Sequence, residues 1–194
     1  MISQTPQLPL ALKLPVHARL TDFIGSESET IKSTLINLIT DPAQQFALLS
    51  GARGSGKTHL LSAICHRADQ QALTVVYLPL RDHAEFAPQI CDGLETADLV
   101  CLDDIDAIGG IEAWEIALFH LYNRLRDQGK TLIVSAAQAA SHLPIQLADL
   151  RSRLAWGINL PLRELSDHDK QDLLQHRADQ MGMQMPVETA AYLL

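Results

Sequence analysis

A phosphate-loop signature is the stretch whose residue types point most directly to chemistry. Residues 51–58 read Gly-Ala-Arg-Gly-Ser-Gly-Lys-Thr and fit the pattern G-x-x-x-x-G-K-[ST] at every fixed position. Lys57 can bring a positive charge to the outer phosphates of a nucleotide, and the hydroxyl of Thr58 can bind Mg²⁺. Further phosphate contacts are expected from the loop itself, at Gly51, Arg53, Gly54, Ser55 and Gly56. We predict a nucleotide site.

The segments on either side of the loop decide between this site and an ordinary glycine-rich turn. Residues 46–50 form an apolar run of strand length, and the apolar positions of residues 59–65 share one face at helical spacing. A phosphate loop needs this arrangement, because the amides at the start of the helix face the phosphates. The flanks therefore favour the nucleotide site.

Paired carboxylates form a second chemical feature. Residues 97–104 read as an apolar strand that ends in Asp103 and Asp104, and ligands of parallel sheets bind at the carboxyl ends of the strands. Asp103 would hold the Mg²⁺ shell through water, and Asp104 would orient the attacking water. Such a pair is often only a turn with helix-capping groups, but the phosphate loop upstream favours metal binding or catalysis.

Further polar candidates lie later in the chain. Ser135 ends an apolar strand at 130–135, and Gln138 follows in a loop, so either could contact the γ-phosphate; Gln138 fits a solvated turn equally well. Arg151 and Arg153 lie two residues apart and do not share a helix face. At most one of them is expected to face a given target, and an exposed arginine is usually only solvated.

The elements that must position these groups alternate along the chain. Apolar runs of strand length occupy residues 46–50, 74–78, 97–104, 130–135 and 157–162. Amphipathic helices are predicted between them, the clearest at 112–127 and a short one at 84–91. Alternation of this kind indicates an α/β fold of three layers, with a five-stranded parallel sheet flanked by helices.

Composition narrows the class of protein. Hydrophobic residues make up 47% of the 194 residues, and the formal net charge is −8, so a packed core is expected and DNA binding as the main activity is disfavoured. Cys65, Cys91 and Cys101 form no C-x-x-C pair, which suits buried thiols of a reducing cytosol better than disulfides or zinc. The first residues show no basic stretch followed by an apolar segment, as a signal peptide would, and no apolar segment is long enough to span a membrane. We therefore expect a cytoplasmic protein.

Three regions are predicted: an extended tail at 1–16, a nucleotide-binding core at 17–162 and the beginning of a helical lid at 163–194. The tail contains three prolines and cannot form a helix. It is either a disordered terminus or, at Gln7-Leu8-Pro9-Leu10, a short peptide that docks in the apolar groove of another protein.

The order of motifs resembles the AAA+ domain of the bacterial replication initiator DnaA, and in particular the short DnaA-related Hda family of regulatory inactivators. The resemblance covers nearly the whole chain. It rests on the phosphate loop, on Leu102-Asp103-Asp104-Ile105-Asp106, on residues 118–123 with 128–130, and on Ser152-Arg153-Leu154-Ala155-Trp156-Gly157. The shortness of the chain, its acidic charge and the tail motif also fit.

The resemblance implies a function as well as a fold. Hda-like proteins bind ADP or ATP with Mg²⁺, are loaded on the DNA-bound sliding clamp through a tail peptide, here Gln7, Leu8 and Leu10, and stimulate ATP hydrolysis by DnaA. Arg153 would be the arginine supplied in trans, with Arg151 in reserve. Phe23 and Ile24 are also expected to contact the nucleotide, and self-association is possible.

Two departures from the relatives favour nucleotide holding over turnover. Ala137 and Gln138 stand where relatives often carry an aspartate and an arginine, and the helical lid that supplies a second sensor arginine is only begun. Two other functions stay open: an autonomous AAA+ ATPase, such as a helicase loader or initiator-like protein, and a nucleotide-dependent adaptor that links the clamp to a different protein.

Overall fold

A five-stranded parallel sheet forms the centre of the protein, in a computed structural model that describes residues 18–25, 27–41 and 45–194. The strands are β1 Phe46–Ser50, β2 Val75–Pro79, β3 Leu99–Asp103, β4 Thr131–Ala136 and β5 Ile158–Pro161. Their order in the sheet is β2-β3-β4-β1-β5, and every pair is parallel. The predicted fold class is confirmed.

Helices cover both faces of the sheet. They are α1 Ser28–Thr40, α2 Lys57–Asp69, α3 Glu112–Asp127, α4 Ala148–Trp156, α5 Asp167–Gln180 and α6 Val187–Tyr192. Apolar residues of α1 and α2 pack with Ala47, Leu49 and Cys101 on one face, whereas those of α3 and α4 pack with Leu48 and Leu102 on the other. Since side chains alternate along a strand, consecutive residues of β1 contribute to separate cores. This burial on both faces explains the continuous apolar runs of β1, β3 and β4.

One expected helix takes a different form. In place of the short α-helix predicted over 84–91, two 3₁₀ segments span Leu80–Glu85 and Pro88–Cys91. Pro88 has no amide hydrogen for a continuous helix, and it holds the preceding Ala87 in an extended conformation with a ψ of 150°. Further 3₁₀ segments lie at Leu20–Asp22, Leu94–Thr96, Ile105–Ile108 and Ala140–His142.

The last helices fall in the range predicted to begin a lid. Ser166 and Asp169 form a capping box at the start of α5, as the sequence Ser-Asp-His-Asp indicates. The buried carboxylate of Asp22 accepts a hydrogen bond of 2.6 Å from the amide of Gln180 and lies 3.3 Å from His176 Nε2, so α5 is tied to the 3₁₀ segment that precedes α1. Among the described residues, no helix is long and apolar enough to cross a membrane.

Candidate functional site

The phosphate loop runs from the carboxyl end of β1 to the first turn of α2, in the order that the sequence predicts. Gly54 and Gly56 have φ values of +88° and +94°, a region that other residues rarely adopt. A Cβ atom at Gly56 would also lie 2.8 Å from the Phe23 ring, and one at Gly51 would lie 2.6 Å from the Leu162 carbonyl oxygen. The glycines are therefore required by both the turn and the close packing around it.

Polar groups inside the loop fit a phosphate. Lys57 is buried, and its ammonium group donates hydrogen bonds of 2.7 and 2.8 Å to the carbonyl oxygens of Gly51 and Ala52. The Ser55 hydroxyl is buried without a hydrogen-bond partner, which is costly unless a ligand satisfies it. A positive charge and an unpaired donor thus lie at the place where the sequence predicts phosphate oxygens.

Asp103 is the centre of a hydrogen-bond network at the end of β3. Its Oδ2 atom accepts hydrogen bonds from the Thr58 hydroxyl at 2.7 Å and the Tyr77 hydroxyl at 2.8 Å, and its Oδ1 atom accepts one from the Ser135 hydroxyl. Burial and the neighbouring Asp103 carboxylate raise the pKa of the Tyr77 phenol, so this hydroxyl remains a donor. Tyr77 is not among the site residues predicted from the sequence, although a hydroxyl in an apolar strand beside β3 indicates a polar contact at this place.

The pair of Thr58 and Asp103 suits Mg²⁺. Both residues offer oxygen atoms, the ligands that Mg²⁺ prefers, and their side chains are in direct contact. Within the described part of the chain, no cluster of three or more His, Cys, Asp or Glu residues could hold a metal. A cation here would therefore share its coordination shell with phosphate oxygens and water, as Mg²⁺ does in phosphate-loop proteins.

Asp104 is held in an unusual conformation next to this network. Its backbone lies in the left-handed region, with φ 57° and ψ 58°, and its amide donates a 2.8 Å hydrogen bond to the Ser135 hydroxyl. Arg81 Nε lies 2.5 Å from Asp104 Oδ2. Burial and the adjacent Asp103 carboxylate raise the pKa of the Asp104 carboxyl, against the opposing effect of Arg81 and Lys57.

The two sensor candidates differ in position. Ser135 is fully buried, and its hydroxyl bonds both Asp103 and the Asp104 amide, so it organises the acidic pair. Gln138 is exposed in the loop after β4.

A cavity of about 280 Å³ joins the phosphate loop to Asp104. Its lining residues are Arg53, Gly54, Gly56, Lys57, Thr58, His59, Arg81 and Asp104. Phe23 and Ile24 border a much smaller space of about 30 Å³, next to Leu162 and Leu165. The cavity therefore joins most of the predicted loop residues to Asp104, but Gly51, Ser55 and Asp103 are not in its lining. His59 and Arg81 line it without having been predicted from the sequence.

Arg153 lies away from this cavity. It is in the last turn of α4, which leads into the amino end of β5, whereas the phosphate loop follows the carboxyl end of β1. Its guanidinium carbon is 6.0 Å from the centre of the Tyr122 ring and 5.9 Å from that of the Trp156 ring. Arg151 is exposed, and its guanidinium lies 3.4 Å from the Ile145 carbonyl oxygen.

The strand order, the loop after β1 and the acidic pair at the end of β3 define a phosphate-loop domain of the AAA+ class. The profile of the bacterial DnaA ATPase domain matches residues 20–161, more than half of the chain. The protein belongs to this family.

Solved DnaA structures share the fold. DnaA from Aquifex aeolicus with bound AMPPCP has 24% identity and a TM-score of 0.82, over 94% of this chain and 61% of that one. DnaA bound to AMPPCP and single-stranded DNA has 23% identity and a TM-score of 0.80, over 93% and 60%. Domain III of Thermotoga maritima DnaA has 20% identity and a TM-score of 0.80, over 91% and 79%. The chain thus spans about 60% of the length of the first two proteins.

Proposed function

We propose that the chain binds an adenine nucleotide together with Mg²⁺ in the cavity beside the phosphate loop. The observation that carries this proposal is that one glycine-rich loop holds both a buried lysine, Lys57, and a buried hydroxyl without a hydrogen-bond partner, that of Ser55. Family membership adds support, since two relatives that share the fold are described with bound AMPPCP.

Each residue has a distinct part in this binding. The loop amides and Ser55 donate hydrogen bonds to phosphate oxygens, and Lys57 exchanges its carbonyl partners for the outer phosphates. Thr58 and Asp103 hold the cation, which when bound neutralises phosphate charge. Tyr77 and Ser135 keep the Asp103 carboxylate oriented, and Phe23 packs over Gly56.

Lys57→Ala tests the nucleotide site. We expect at least a tenfold loss of affinity for a fluorescent ATP analogue, because a charge-assisted contact of about 1.5–3 kcal/mol is removed. Arg67→Ala is the matched control, since Arg67 is exposed near the other end of α2 and its removal also deletes one positive charge. Unchanged affinity of the Lys57 variant would contradict the proposal.

We further propose that the chain regulates bacterial replication initiation by stimulating ATP hydrolysis by DnaA while bound to the sliding clamp. Arg153 lies near the amino end of β5, whereas the phosphate loop of the same chain follows the carboxyl end of β1, so Arg153 cannot contact a nucleotide bound there. Its guanidinium can instead contact the γ-phosphate of a nucleotide held by a neighbouring molecule. The rings of Tyr122 and Trp156 restrict the Arg153 guanidinium before any partner binds. Less conformational entropy is therefore lost when Arg153 docks against the partner.

The partner assay compares two arginines of α4. With DnaA, loaded clamp and ATP, Arg153→Ala should abolish the stimulation, because an arginine finger contributes about 10³–10⁵ in rate. Arg151→Ala should retain it. The reverse pattern would assign the finger to Arg151, and stimulation that survives both changes would reject an arginine from this helix.

Clamp binding is proposed for Gln7, Leu8 and Leu10, which lie outside the described residues. Gln7→Ala should weaken clamp binding about tenfold, as expected when one anchoring contact of an interface is removed. Gln4→Ala, three residues earlier in the tail, is the control. Surface plasmon resonance measures the affinity of both variants and of the parent chain for the clamp. Equal affinities would show that Gln7 does not contribute to clamp binding.

An autonomous ATPase is the alternative, and the intact acidic pair of Asp103 and Asp104 favours it. Such an enzyme would complete its sites by self-association, so its specific activity would rise with protein concentration in the absence of DnaA. Slow turnover that is independent of concentration supports the regulatory function instead.

A further inference from the structure

His59 joins the phosphate loop to the segment that precedes α1. It directly follows Thr58 and lines the cavity of about 280 Å³. Its Nε2 atom lies 3.0 Å from the backbone carbonyl oxygen of Arg19. Because a carbonyl oxygen only accepts hydrogen bonds, Nε2 must carry the hydrogen and donate it. In a neutral imidazole the other ring nitrogen, Nδ1, is then an acceptor.

The surroundings of His59 favour this neutral form. Burial lowers the pKa of His59, and the positive charge of Arg177 acts in the same direction, against the hydrogen bond to Arg19 and the carboxylate of Asp22. The ring therefore has one donor, which is used, and one acceptor. In the part of the chain that the structure describes, no residue donates a hydrogen bond to Nδ1. A side chain of the cavity thus has an acceptor to offer to a ligand.

The chemistry of a nucleotide limits what this acceptor can bind. Phosphate oxygens and the ring nitrogens of adenine are themselves acceptors, so they cannot pair with Nδ1 of a neutral imidazole. The donors of ATP are the two ribose hydroxyls and the 6-amino group of adenine. Nδ1 of His59 therefore suits one of these groups.

The position of His59 between two parts of the site favours the ribose. On one side is Thr58, whose hydroxyl belongs to the proposed cation site. On the other side is Arg19, four residues before Phe23, whose ring lies close to Gly56 and which the sequence predicts as a nucleotide contact. In a nucleotide the ribose lies between the phosphates and the base. His59 is therefore placed at the level of the ribose.

We propose that Nδ1 of His59 accepts a hydrogen bond from a ribose hydroxyl and makes the site selective for ribonucleotides over deoxyribonucleotides. The proposal rests on the nucleotide site proposed above and adds a specificity-determining residue to it. The hydrogen bond to the Arg19 carbonyl fixes the tautomer of the ring. The same bond thereby decides which nitrogen is left for the ligand.

Competition against a fluorescent ATP analogue tests the selectivity of the 194-residue chain. ATP, 2′-deoxy-ATP and 3′-deoxy-ATP are compared in the presence of Mg²⁺. The parent chain should bind ATP about fivefold more tightly than the analogue that lacks the contacted hydroxyl, which is the effect of one neutral hydrogen bond. Equal affinity for all three nucleotides overturns the proposal.

Two variants of His59 separate its two nitrogens. His59→Asn places an oxygen acceptor at the δ position and has no donor at the ε position, so it should keep the selectivity for ribose. His59→Gln places an amide nitrogen at the ε position, where it can donate to Arg19, but has no acceptor at the δ position. It should bind ATP and the deoxy analogue equally. His120→Gln, at an exposed position of α3, is the control.

The measured quantity is a ratio of affinities, which a general loosening of the site does not change. Selectivity that survives in His59→Gln overturns the proposal, as does its loss in both variants. The triphosphate of purine riboside lacks the 6-amino group; if His59→Gln abolishes selectivity against this compound instead, Nδ1 contacts the base and the ribose contact is wrong. Absence of nucleotide binding by the parent chain would reject the nucleotide site as well, whereas binding without ribose selectivity rejects the role of His59 alone.

Discussion

A single carboxylate can accept several hydrogen bonds at once. Asp103 and Glu115 both do so, but they differ in the kind of donor. Asp103 receives three hydroxyl donors from three separate elements. Since hydroxyl groups can rotate, the Thr58 hydroxyl can turn from Asp103 to a bound cation. The donors to Glu115 are instead backbone amides. Because backbone N–H groups cannot rotate as hydroxyl groups do, these hydrogen bonds hold the loops in place.

Glu115 joins two loops at the carboxyl side of the sheet. The buried side chain accepts hydrogen bonds from the amides of Gly110, Gln146 and Leu147, at distances from 2.6 to 3.0 Å. Burial acts to raise the pKa of the Glu115 carboxyl, but these amides stabilise the charged form and lower the pKa below its usual value of 4.5. The carboxylate is therefore more stable in the folded chain than in the unfolded one.

Glu115→Gln should lower the free energy of unfolding at pH 7 by about 2 kcal/mol, since hydrogen bonds to a charged acceptor contribute about 1.5–3 kcal/mol. Because the folded pKa is lowered, this contribution is present in full above the unfolded value of 4.5 and is lost as the pH falls through the folded pKa. Urea denaturation at several pH values measures the difference.

Glu112→Gln is the control for this prediction, because Glu112 lies in the same first turn of α3 and is exposed. It should change the free energy of unfolding by no more than about 0.5 kcal/mol. A Glu115 variant whose stability deficit stays constant down to low pH would show that the carboxylate charge is not what holds the loops.

At the scale of elements, the junction between α4 and β5 sets the position of Arg153. Gly157 links the two and lies against Phe46, whose ring makes an edge contact with Tyr122 at a centroid distance of 5.3 Å. Tyr122 in turn lies under Arg153. We therefore expect a larger side chain at position 157 to displace Phe46 and Tyr122, and with them the guanidinium of Arg153.

Gly157→Ala should cost about 3 kcal/mol of stability, the upper part of the range for overpacking, because the new Cβ would overlap the Phe46 ring and lie 2.8 Å from the Phe46 carbonyl oxygen. Gly182→Ala is the comparison: nothing lies within 4 Å of the added atom, but φ is +72°, so backbone strain alone should cost about 1 kcal/mol. Chemical denaturation of both variants checks the difference. Equal costs would mean that the junction repacks freely.

Secondary-structure elements could be predicted from the sequence where a single local residue pattern identifies them. Strands buried on both faces leave apolar runs, and the phosphate loop has its own residue spacing, so the five strands and the loop could be derived from the sequence. The residues that contact Asp103 and Asp104 could not be derived from the sequence in this way. Tyr77 and Arg81 reach Asp103 and Asp104 only through the pairing of β2 with β3, and the 3₁₀ segment that carries Arg81 has no helical pattern.

At the scale of the whole molecule, the net charge bears on whether the chain binds DNA. The net charge is −8 over 194 residues, and one structure with a similar fold is of DnaA bound to single-stranded DNA. Affinity for DNA comes largely from lysine and arginine at phosphates, with release of counterions. An acidic surface opposes that contact even when individual arginines are exposed. A shared fold therefore need not carry DNA binding with it.

We expect the chain to bind a labelled single-stranded oligonucleotide with a Kd weaker than about 10⁻⁴ M at physiological salt, the weak end of non-specific binding. Fluorescence anisotropy at several salt concentrations measures both affinity and its salt slope. A protein that makes many phosphate contacts loses affinity by about 10³–10⁵ between 50 and 200 mM salt, whereas this chain should show no such slope. Micromolar binding that weakens steeply with salt would reveal a basic surface that the net charge conceals. The chain would then have to contact DNA directly rather than reach it through the clamp.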